Sequence, residues 1–485
     1  MQPVGRHSTP TLGLFSSITR LLNYPITRFI CGCRTAGGRV YWPAEPNACN
    51  LEPPDMTTTS PAFAPDAGKT PEQLCAERSR RLLDATEMKQ PDRVPIMVRF
   101  GYMLAELAGE TRLAMYQNPQ KAADALLQAA RYFQPDTAGG YFGTPGPSQV
   151  LGDRMSRWPG YGLDENGSFQ FVEREYMKVE DYDDLIADPT DWTLRVYLPR
   201  TFSELEGLAE MQPLSMALAG YWGLVFGLPV FNTPPLARAL KALGQAMQLQ
   251  GEWIAQQIAL AERMAAAGFP SFNLQDCALQ APFDFLSDAL RGMRGIFSDM
   301  HRCPDKLLEA GAKMARLQLQ PAFKVRRNTP ADRKVYSFTA THRGSDEFIS
   351  LRQFERFYWA QFKQMLLDAI EAGITPYVFW EGTWNQRLKY LAELPKGKTI
   401  GYFHNTDLFK AKDIIGDTMC IMGGMPVSLL AGGTVQEIRT HTKRLCEVVG
   451  KGGGFIMTTS TGELEGCKPE LVKAWIDATK EFGTY

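Results

Sequence analysis

The amino-acid sequence predicts an α/β protein with a (β/α)8 barrel, and two observations in its C-terminal half support that prediction. Short apolar runs recur there at a regular spacing, and a helical pattern follows most of them; they cover residues 335–340, 375–380, 399–403, 418–422 and 454–458. Each run ends where polar residues or glycines begin, as at Thr341-His342-Arg343-Gly344. Repeated βα units indicate a parallel sheet, because parallel strands need a crossover helix between them.

The N-terminal half adds four more apolar runs, at residues 94–98, 138–142, 214–219 and 271–274. With the five runs above, these candidates come close to the eight strands that a barrel requires. Helix signals lie between them, and two are capping boxes, Thr70-Pro71-Glu72-Gln73 and Thr434-Val435-Gln436-Glu437. Further helical patterns follow Asn118-Pro119, cover residues 235–267 and 304–319, and begin at Pro469.

The chain divides into a tail, a barrel and an insert. Residues 1–69 show no sustained periodicity, and the first 55 carry five arginines against three acidic residues. They are predicted to be a disordered or non-native leader, with Met56 as an alternative start. Residues 70–485 are predicted to form the barrel. Residues 148–200 interrupt it with an irregular stretch that is long for a connection and is typical of a lid or binding loop.

Composition excludes several functional classes. A formal net charge of −1 favours neither a nucleic-acid partner nor an anionic membrane surface. The sequence contains no run of 18 apolar residues, so no transmembrane helix is predicted. The nine cysteines are scattered through the chain, which indicates reduced thiols and a cytoplasmic location.

Candidate catalytic residues fall where strands end, because a barrel builds its active site from the loops that follow its strands. Glu381 and His404 each come directly after a predicted strand, where a carboxylate and an imidazole would act as acid and base or hold zinc. The alternative is a polar pair that only caps the barrel mouth. His342 also follows a strand; it would donate a hydrogen bond to a substrate, or else cap a helix from its loop.

Two more side chains are candidates for binding substrate. Arg99 follows the first predicted strand and would hold a substrate carboxylate in a bidentate fork, with a structural salt bridge as the alternative. Asp407 would contact substrate, or it is the N-cap of a helix over residues 408–415.

Several motifs, from about residue 70 to the C-terminus, resemble the uroporphyrinogen decarboxylase superfamily. They are Lys89-Gln-Pro-Asp-Arg-Val-Pro95, Phe348-Ile-Ser-Leu-Arg-Gln-Phe354, Lys412-Asp-Ile-Ile-Gly416, Gly423-Gly-Met-Pro426, Gly433-Thr-Val-Gln-Glu-Ile438 and Lys468-Pro-Glu470. The resemblance implies a (β/α)8 barrel with a funnel-shaped site at the C-terminal ends of the strands.

The decarboxylase branch of that superfamily holds a tetracarboxylate porphyrinogen, without a cofactor, on two arginines, an aspartate, a tyrosine and a late histidine. Arg99 stands at one of the arginine positions, and Tyr221 resembles the tyrosine. The second arginine is missing, residues 139–143 replace the aspartate, and Thr461 stands where the histidine is expected. The resemblance therefore implies a substrate other than uroporphyrinogen.

The chain is closer to the other branch, the cobamide-dependent methyltransferases. Those enzymes hold zinc through a His-x-Cys pair after strand six and a cysteine after the last strand. Glu381 stands in place of the pair's cysteine, Phe379 in place of its histidine and Thr461 in place of the last cysteine. Zinc held by Glu381 and His404 would have harder ligands than thiolates, which favours an oxygen substrate over a thiol.

The leading prediction is a methyltransferase subunit that moves a methyl group between a small organic substrate, of aromatic or apolar character, and a corrinoid. The sequence has no Asp-x-His-x-x-Gly motif, so a separate partner protein is expected to carry the corrinoid. Glu381 and His404 would hold zinc or polarise the substrate, His342 and Tyr221 would contact it, and Arg99 would orient an acid group. The alternatives are a cofactor-free decarboxylase or lyase and a non-catalytic interaction subunit.

Overall fold

The computed structural model describes residues 66–141 and 143–485. The predicted leader over residues 1–69 lies outside this part of the chain except for its last four positions. Phe142, the last residue of the predicted second strand, lies outside it as well.

Eight strands form the barrel, and two further short strands lie in the insert. The strands are β1 (Met97–Arg99), β2 (Thr137–Gly139), β3 (Ser156–Arg157), β4 (Gln170–Phe171), β5 (Cys277–Ala278), β6 (Val335–Thr341), β7 (Ile374–Trp380), β8 (Ile400–Phe403), β9 (Cys420–Met425) and β10 (Phe455–Thr459). Strands β5 to β10 pair in sequence order as one parallel sheet, and β1 pairs with β2 in parallel. The antiparallel strands β3 and β4 pair only with each other.

A parallel bridge between Ile96 and Met457 connects the two parallel sheets. The Met457 amide donates a hydrogen bond of 2.9 Å to the Pro95 carbonyl at the same place. The strand order is therefore β2-β1-β10-β9-β8-β7-β6-β5, which is the cyclic order of a (β/α)8 barrel. One gap remains in the ring of paired strands, between β2 and β5; this gap is here called the seam.

The seam is also where the structure departs from the predicted strand at residues 271–274. Those residues form no strand, and the paired segment is β5, a few residues later. The Asn273 side chain accepts a hydrogen bond from the Gln275 amide at 3.0 Å, a local contact that competes with sheet pairing. Across the seam, the Thr137 hydroxyl donates to the Pro270 carbonyl at 2.8 Å.

The predicted strand at residues 214–219 is wrong, because Leu214–Ala219 is a 3₁₀ helix. Its leucine, methionine and alanine residues favour helix over strand, and a short apolar run does not distinguish the two by periodicity. Without it, and with β5 in place of the run at 271–274, the barrel has eight strands. Strand β7, which precedes Glu381, is accordingly the fifth barrel strand and not the sixth.

Helices surround the strands. The α-helices are α1 (Pro71–Thr86), α2 (Met103–Ala108), α3 (Arg112–Gln117), α4 (Pro119–Phe133), α5 (Gly146–Leu151), α6 (Tyr182–Ala187), α7 (Pro189–Trp192), α8 (Leu198–Thr201), α9 (Tyr221–Gly227), α10 (Pro234–Ala266), α11 (Pro282–Phe285), α12 (Gly292–Arg302), α13 (Pro304–Arg327), α14 (Leu351–Gln353), α15 (Ala360–Glu371), α16 (Leu388–Leu391), α17 (Leu408–Ile415), α18 (Val427–Gly432), α19 (Val435–Arg444) and α20 (Pro469–Phe482). The remaining helical segments are 3₁₀ turns at Val179–Asp181, Ser203–Glu210, Leu214–Ala219 and Leu228–Asn232, and π-helical turns at Thr193–Tyr197, Leu286–Arg291, Phe354–Trp359 and Leu445–Val449. Both predicted capping boxes, at Thr70 and Thr434, are confirmed.

Aromatic side chains fill the interior of the barrel. Tyr336, Phe338 and Ala340 alternate along β6, and they pack in one buried cluster with Tyr377 of β7 and Tyr402 of β8. Alternation follows from the pleat, which sends successive side chains to opposite faces of a strand. A larger core lies between the strands and the helices. No helix of the described chain is both long enough and apolar enough to cross a bilayer.

The insert predicted at residues 148–200 contacts the barrel helices through polar side chains. The Tyr182 hydroxyl donates to Asp299 of α12 at 2.9 Å, and Arg291 forms a salt bridge of 2.5 Å with Glu175. These contacts fix the insert on one side of the barrel, and its role as a lid stays a prediction.

Candidate functional site

A cavity of about 420 Å³, here called the reaction cavity, opens at the C-terminal ends of the strands. Its wall is largely apolar, with Phe338, Tyr377, Phe379, Tyr402 and Met422 among the lining residues. The charged and polar lining residues, besides the two tyrosines, are Arg99, Gln275, Glu381, His404, Thr458, Thr461, Glu463 and Glu465. An apolar pocket with a few convergent polar groups is typical of a small-molecule site.

Glu381 and His342 meet at the edge of this cavity. Thr341 of β6 pairs with Trp380 of β7, so the residues that follow them lie side by side. Oε2 of Glu381 lies 3.5 Å from Nε2 of His342, and the Glu381 side chain is 12% exposed. Burial raises the pKa of Glu381 to about 7, because it outweighs the attraction of the His342 charge. Glu381 therefore exchanges a proton near neutral pH.

A second carboxylate holds His342 on its other side. Nδ1 of His342 lies 2.5 Å from Oδ2 of Asp288, and both side chains are buried. Burial by itself would lower the pKa of His342, but the charge of Asp288 and their hydrogen bond outweigh it and raise the pKa to about 9. His342 is thus an imidazolium at neutral pH, with Nε2 nearest to Glu381.

Asp284 fixes the backbone that carries His342. Its carboxylate accepts hydrogen bonds from the His342 and Arg343 amides, each at 2.9 Å, and from the Tyr358 hydroxyl at 2.6 Å. Burial, with the charge of Asp288, raises the pKa of Asp284 to about 6. These contacts leave little freedom for the loop that presents His342 to Glu381.

Neither aspartate is predicted from the sequence. The available signal is Pro282, which begins a helix just after β5, followed by two carboxylates four residues apart, Asp284 and Asp288. Residues at that spacing share one helix face, so they reach the same neighbour.

His404 also lines the reaction cavity, directly after β8. Its Nδ1 accepts a hydrogen bond from the Gly382 amide at 3.2 Å. A backbone amide can only donate, so neutral His404 carries its proton on Nε2. Burial lowers the pKa of His404 more than the charge of Glu347 raises it. His404 is therefore a neutral hydrogen-bond donor at pH 7.

The side chains around Glu381 and His404 do not fit zinc. A zinc ion on Nε2 of His404 would require the other tautomer, which loses the hydrogen bond from Gly382. Phe379 has no ligating atom, and Thr461 has only a hydroxyl. In residues 66–141 and 143–485, no three His, Cys, Asp or Glu side chains are grouped as a metal ion would need. Zinc stays a sequence-based prediction without a matching set of ligands here.

Arg99 ends β1 and lines the reaction cavity. It forms no salt bridge with any residue that the structure describes. The alternative, a structural ion pair, therefore lacks an acidic partner for Arg99 in that part of the chain. A partly exposed guanidinium at this position is suited to an anionic group of a substrate. That role stays a prediction.

The structure does not bring Asp407 and Tyr221 to this cavity. Asp407 is the N-cap of α17, where its carboxylate accepts from the Phe409 and Lys410 amides at 2.9 and 3.2 Å. Tyr221 begins α9 and is 70% exposed, away from the cavity lining. The segment before Tyr221 is helical, so Tyr221 does not follow a strand, and its role in substrate binding stays a prediction.

Comparison with known proteins gives three results. The family described as "Uroporphyrinogen decarboxylase (URO-D)" matches residues 77–185 and 278–482. A uroporphyrinogen decarboxylase from Methylococcus capsulatus is 30% identical over 111 residues, which are 23% of this chain and 31% of that protein. A solved methyltransferase from Methanosarcina mazei superposes with a TM-score of 0.50 at 15% identity, over 84% of this chain and 98% of that chain. The last likeness shows a shared fold.

Proposed function

Because the chain belongs to the uroporphyrinogen decarboxylase family, we propose that it uses the barrel cavity of that family for methyl transfer. It would move a methyl group between a small organic substrate in the reaction cavity and a corrinoid on a separate protein. The observation that carries the proposal is Glu381, a carboxyl with a pKa of about 7 in the wall of a small, largely apolar cavity.

The charges around the cavity argue against a porphyrinogen substrate. Arg99 is the one cationic side chain among the described lining residues, since His404 is neutral. The acidic residues Glu463 and Glu465 lie in the same lining, where Glu465 is paired with Arg112 at 2.8 Å. Four substrate carboxylates would share one guanidinium, so most of their charge would have no cationic partner where water is excluded.

Methyl transfer needs the proton chemistry that Glu381 can supply. When a methyl group leaves an oxygen, nitrogen or sulfur atom, the electron pair of the broken bond stays on that atom and takes up a proton. Protonated Glu381 would give that proton, and in the reverse direction its carboxylate would remove it. The imidazolium of His342, 3.5 Å away, stabilises the carboxylate that is left.

Two further side chains would orient the substrate. The Nε2–H group of His404 can donate a hydrogen bond to the heteroatom that carries the methyl group, and the guanidinium of Arg99 can hold an acid group. The corrinoid of the partner protein would accept or supply the methyl group at the barrel mouth.

A direct assay tests the proposal with free cobalamin in place of the partner protein. The full chain is mixed with chemically reduced cobalamin and a panel of small carboxylates that carry O-, N- or S-methyl groups. Demethylated product and methylated cobalamin should appear in equal amounts. Glu381→Gln should lower the rate by about 10²–10⁴-fold, the usual contribution of a general acid or base. Glu371→Gln, which changes an exposed carboxyl, is the matched control.

Two outcomes would contradict the proposal. One is full activity of Glu381→Gln. The other is release of carbon dioxide from the panel, without cobalamin and without loss of methyl groups, which would instead support the cofactor-free decarboxylase.

A further inference from the structure

We infer that a second cavity, which opens through the seam of the barrel, holds the apolar part of an amphipathic carboxylate substrate whose acid group lies at Arg99. This inference rests on the proposed function and names the class of substrate. The second cavity, here called the seam cavity, has a volume of about 920 Å³. It lies among β2, residues 270–276, which precede β5, and the long helix α10.

The seam cavity exists because the barrel is not paired on that side. Backbone hydrogen bonds between β2 and residues 270–278 are absent from the described structure. Gly139 and Gly140 face the opening without side chains, and a Cβ on Gly139 would lie 3.7 Å from Cγ of Arg99. The gap is thus kept open beside the guanidinium.

The seam cavity and the reaction cavity meet. They share four lining residues, Met97, Arg99, Gln275 and Tyr377. A molecule of suitable length can therefore occupy both cavities, with one end near Glu381 and the other end against α10.

Charge favours a position for the acid group of the substrate at the junction, the place where the two cavities meet. Arg333 and Lys334 also line the seam cavity, but Arg333 is paired with Asp276, and Nζ of Lys334 lies 2.7 Å from Glu87. Of the cations that line the two cavities, only Arg99 forms no salt bridge in the described part of the chain. A guanidinium binds a carboxylate through two parallel hydrogen bonds.

The wall beyond the junction suits an apolar chain. Its apolar residues come mainly from α4, α10 and residues 270–274; they include Leu126, Ile258, Leu260, Ala261, Met264, Ala265, Phe272 and Leu274. Each methylene group that such a wall removes from water contributes about 0.8 kcal/mol, which is about fourfold in affinity.

Isothermal titration calorimetry of the full chain, without cobalamin, tests the inference with straight-chain carboxylates from acetate to octanoate. Affinity should rise about fourfold per methylene group until the seam cavity is filled. Ala261→Trp should abolish that rise but leave acetate binding unchanged, and Arg99→Gln should weaken binding of every acid about tenfold or more. If the tryptophan variant fails to fold, Ala265→Leu replaces it in the test. This smaller change should reduce the rise with chain length in part.

Ala259→Trp is the matched control, because Ala259 lies on the exposed side of α10 outside the cavity lining. Affinities that do not depend on chain length, or an equal effect of Ala259→Trp, would overturn the inference. Binding is measured without cobalamin, so the calorimetric result can be interpreted even if the protein does not transfer methyl groups. Chain-length-dependent binding without methyl transfer would refute the proposed function alone.

Discussion

Replacing Glu381 by glutamine should stabilise the folded protein at alkaline pH, and the gain should shrink in acid. The pKa of Glu381 is about 7 in the folded protein, against an ordinary value of 4.5. Between these two values the folded state holds a proton that the unfolded state has released, so the stability of the wild type falls as pH rises. The loss is about 1.4 kcal/mol for each pH unit between the two pKa values, or about 3 kcal/mol above pH 7.

Glutamine mimics the protonated carboxyl and is free of this penalty. Urea unfolding of wild type and Glu381→Gln should therefore give a difference in unfolding free energy of about 3 kcal/mol in favour of the variant at pH 8.5, and of under about 1 kcal/mol at pH 5. Glu371→Gln, on the surface, should show no such trend. A variant that is less stable than wild type at pH 8.5, or a difference that does not change with pH, would refute the reasoning.

Four further outcomes are expected. Asp288→Asn should lower the pKa of His342 from about 9, because the charge that raises it is removed; NMR titration of the imidazole would show this. Asp136→Asn should destabilise the protein by about 3–5 kcal/mol in chemical denaturation, because this fully buried carboxylate pairs with Arg81 and Arg93. The pKa of Asp136 is about 2, so in the wild type this pairing is lost only as pH falls towards 2. Asp407→Ala should lower stability by about 1 kcal/mol through the lost N-cap and leave methyl transfer unchanged. Elemental analysis of the chain purified with zinc supplied should find no stoichiometric zinc, since the Nδ1 contact of His404 opposes ligation; one zinc per chain would contradict this.

The strands of the C-terminal half could be predicted because each is a buried apolar run closed by polar residues. The run at 335–340 corresponds to β6, and the run at 375–380 corresponds to β7, within a residue or two at each end. The run at 214–219 has the same local pattern, yet it is a helix outside the barrel. Nothing in a six-residue window separates the two, because the difference is the presence of neighbouring strands to pair with.

Position at a strand end brings Glu381, His404 and Arg99 to one cavity, so simple topology is sufficient for these three. Asp284 and Asp288 are different, because their contact with His342 spans more than 50 residues and depends on how a helix is placed against β6. The protonation states of the site follow from such distant contacts. They could not be predicted from the local sequence.

Single-turnover methyl transfer to reduced cobalamin, measured from pH 5 to 9 with wild type and Glu381→Gln, most directly tests whether Glu381 is the proton donor of a methyl-transfer site. The wild-type rate should fall tenfold per pH unit above about pH 7, where Glu381 loses its proton, and the variant should be slow at every pH. A wild-type rate that does not depend on pH, or a variant as fast as wild type, would contradict that role.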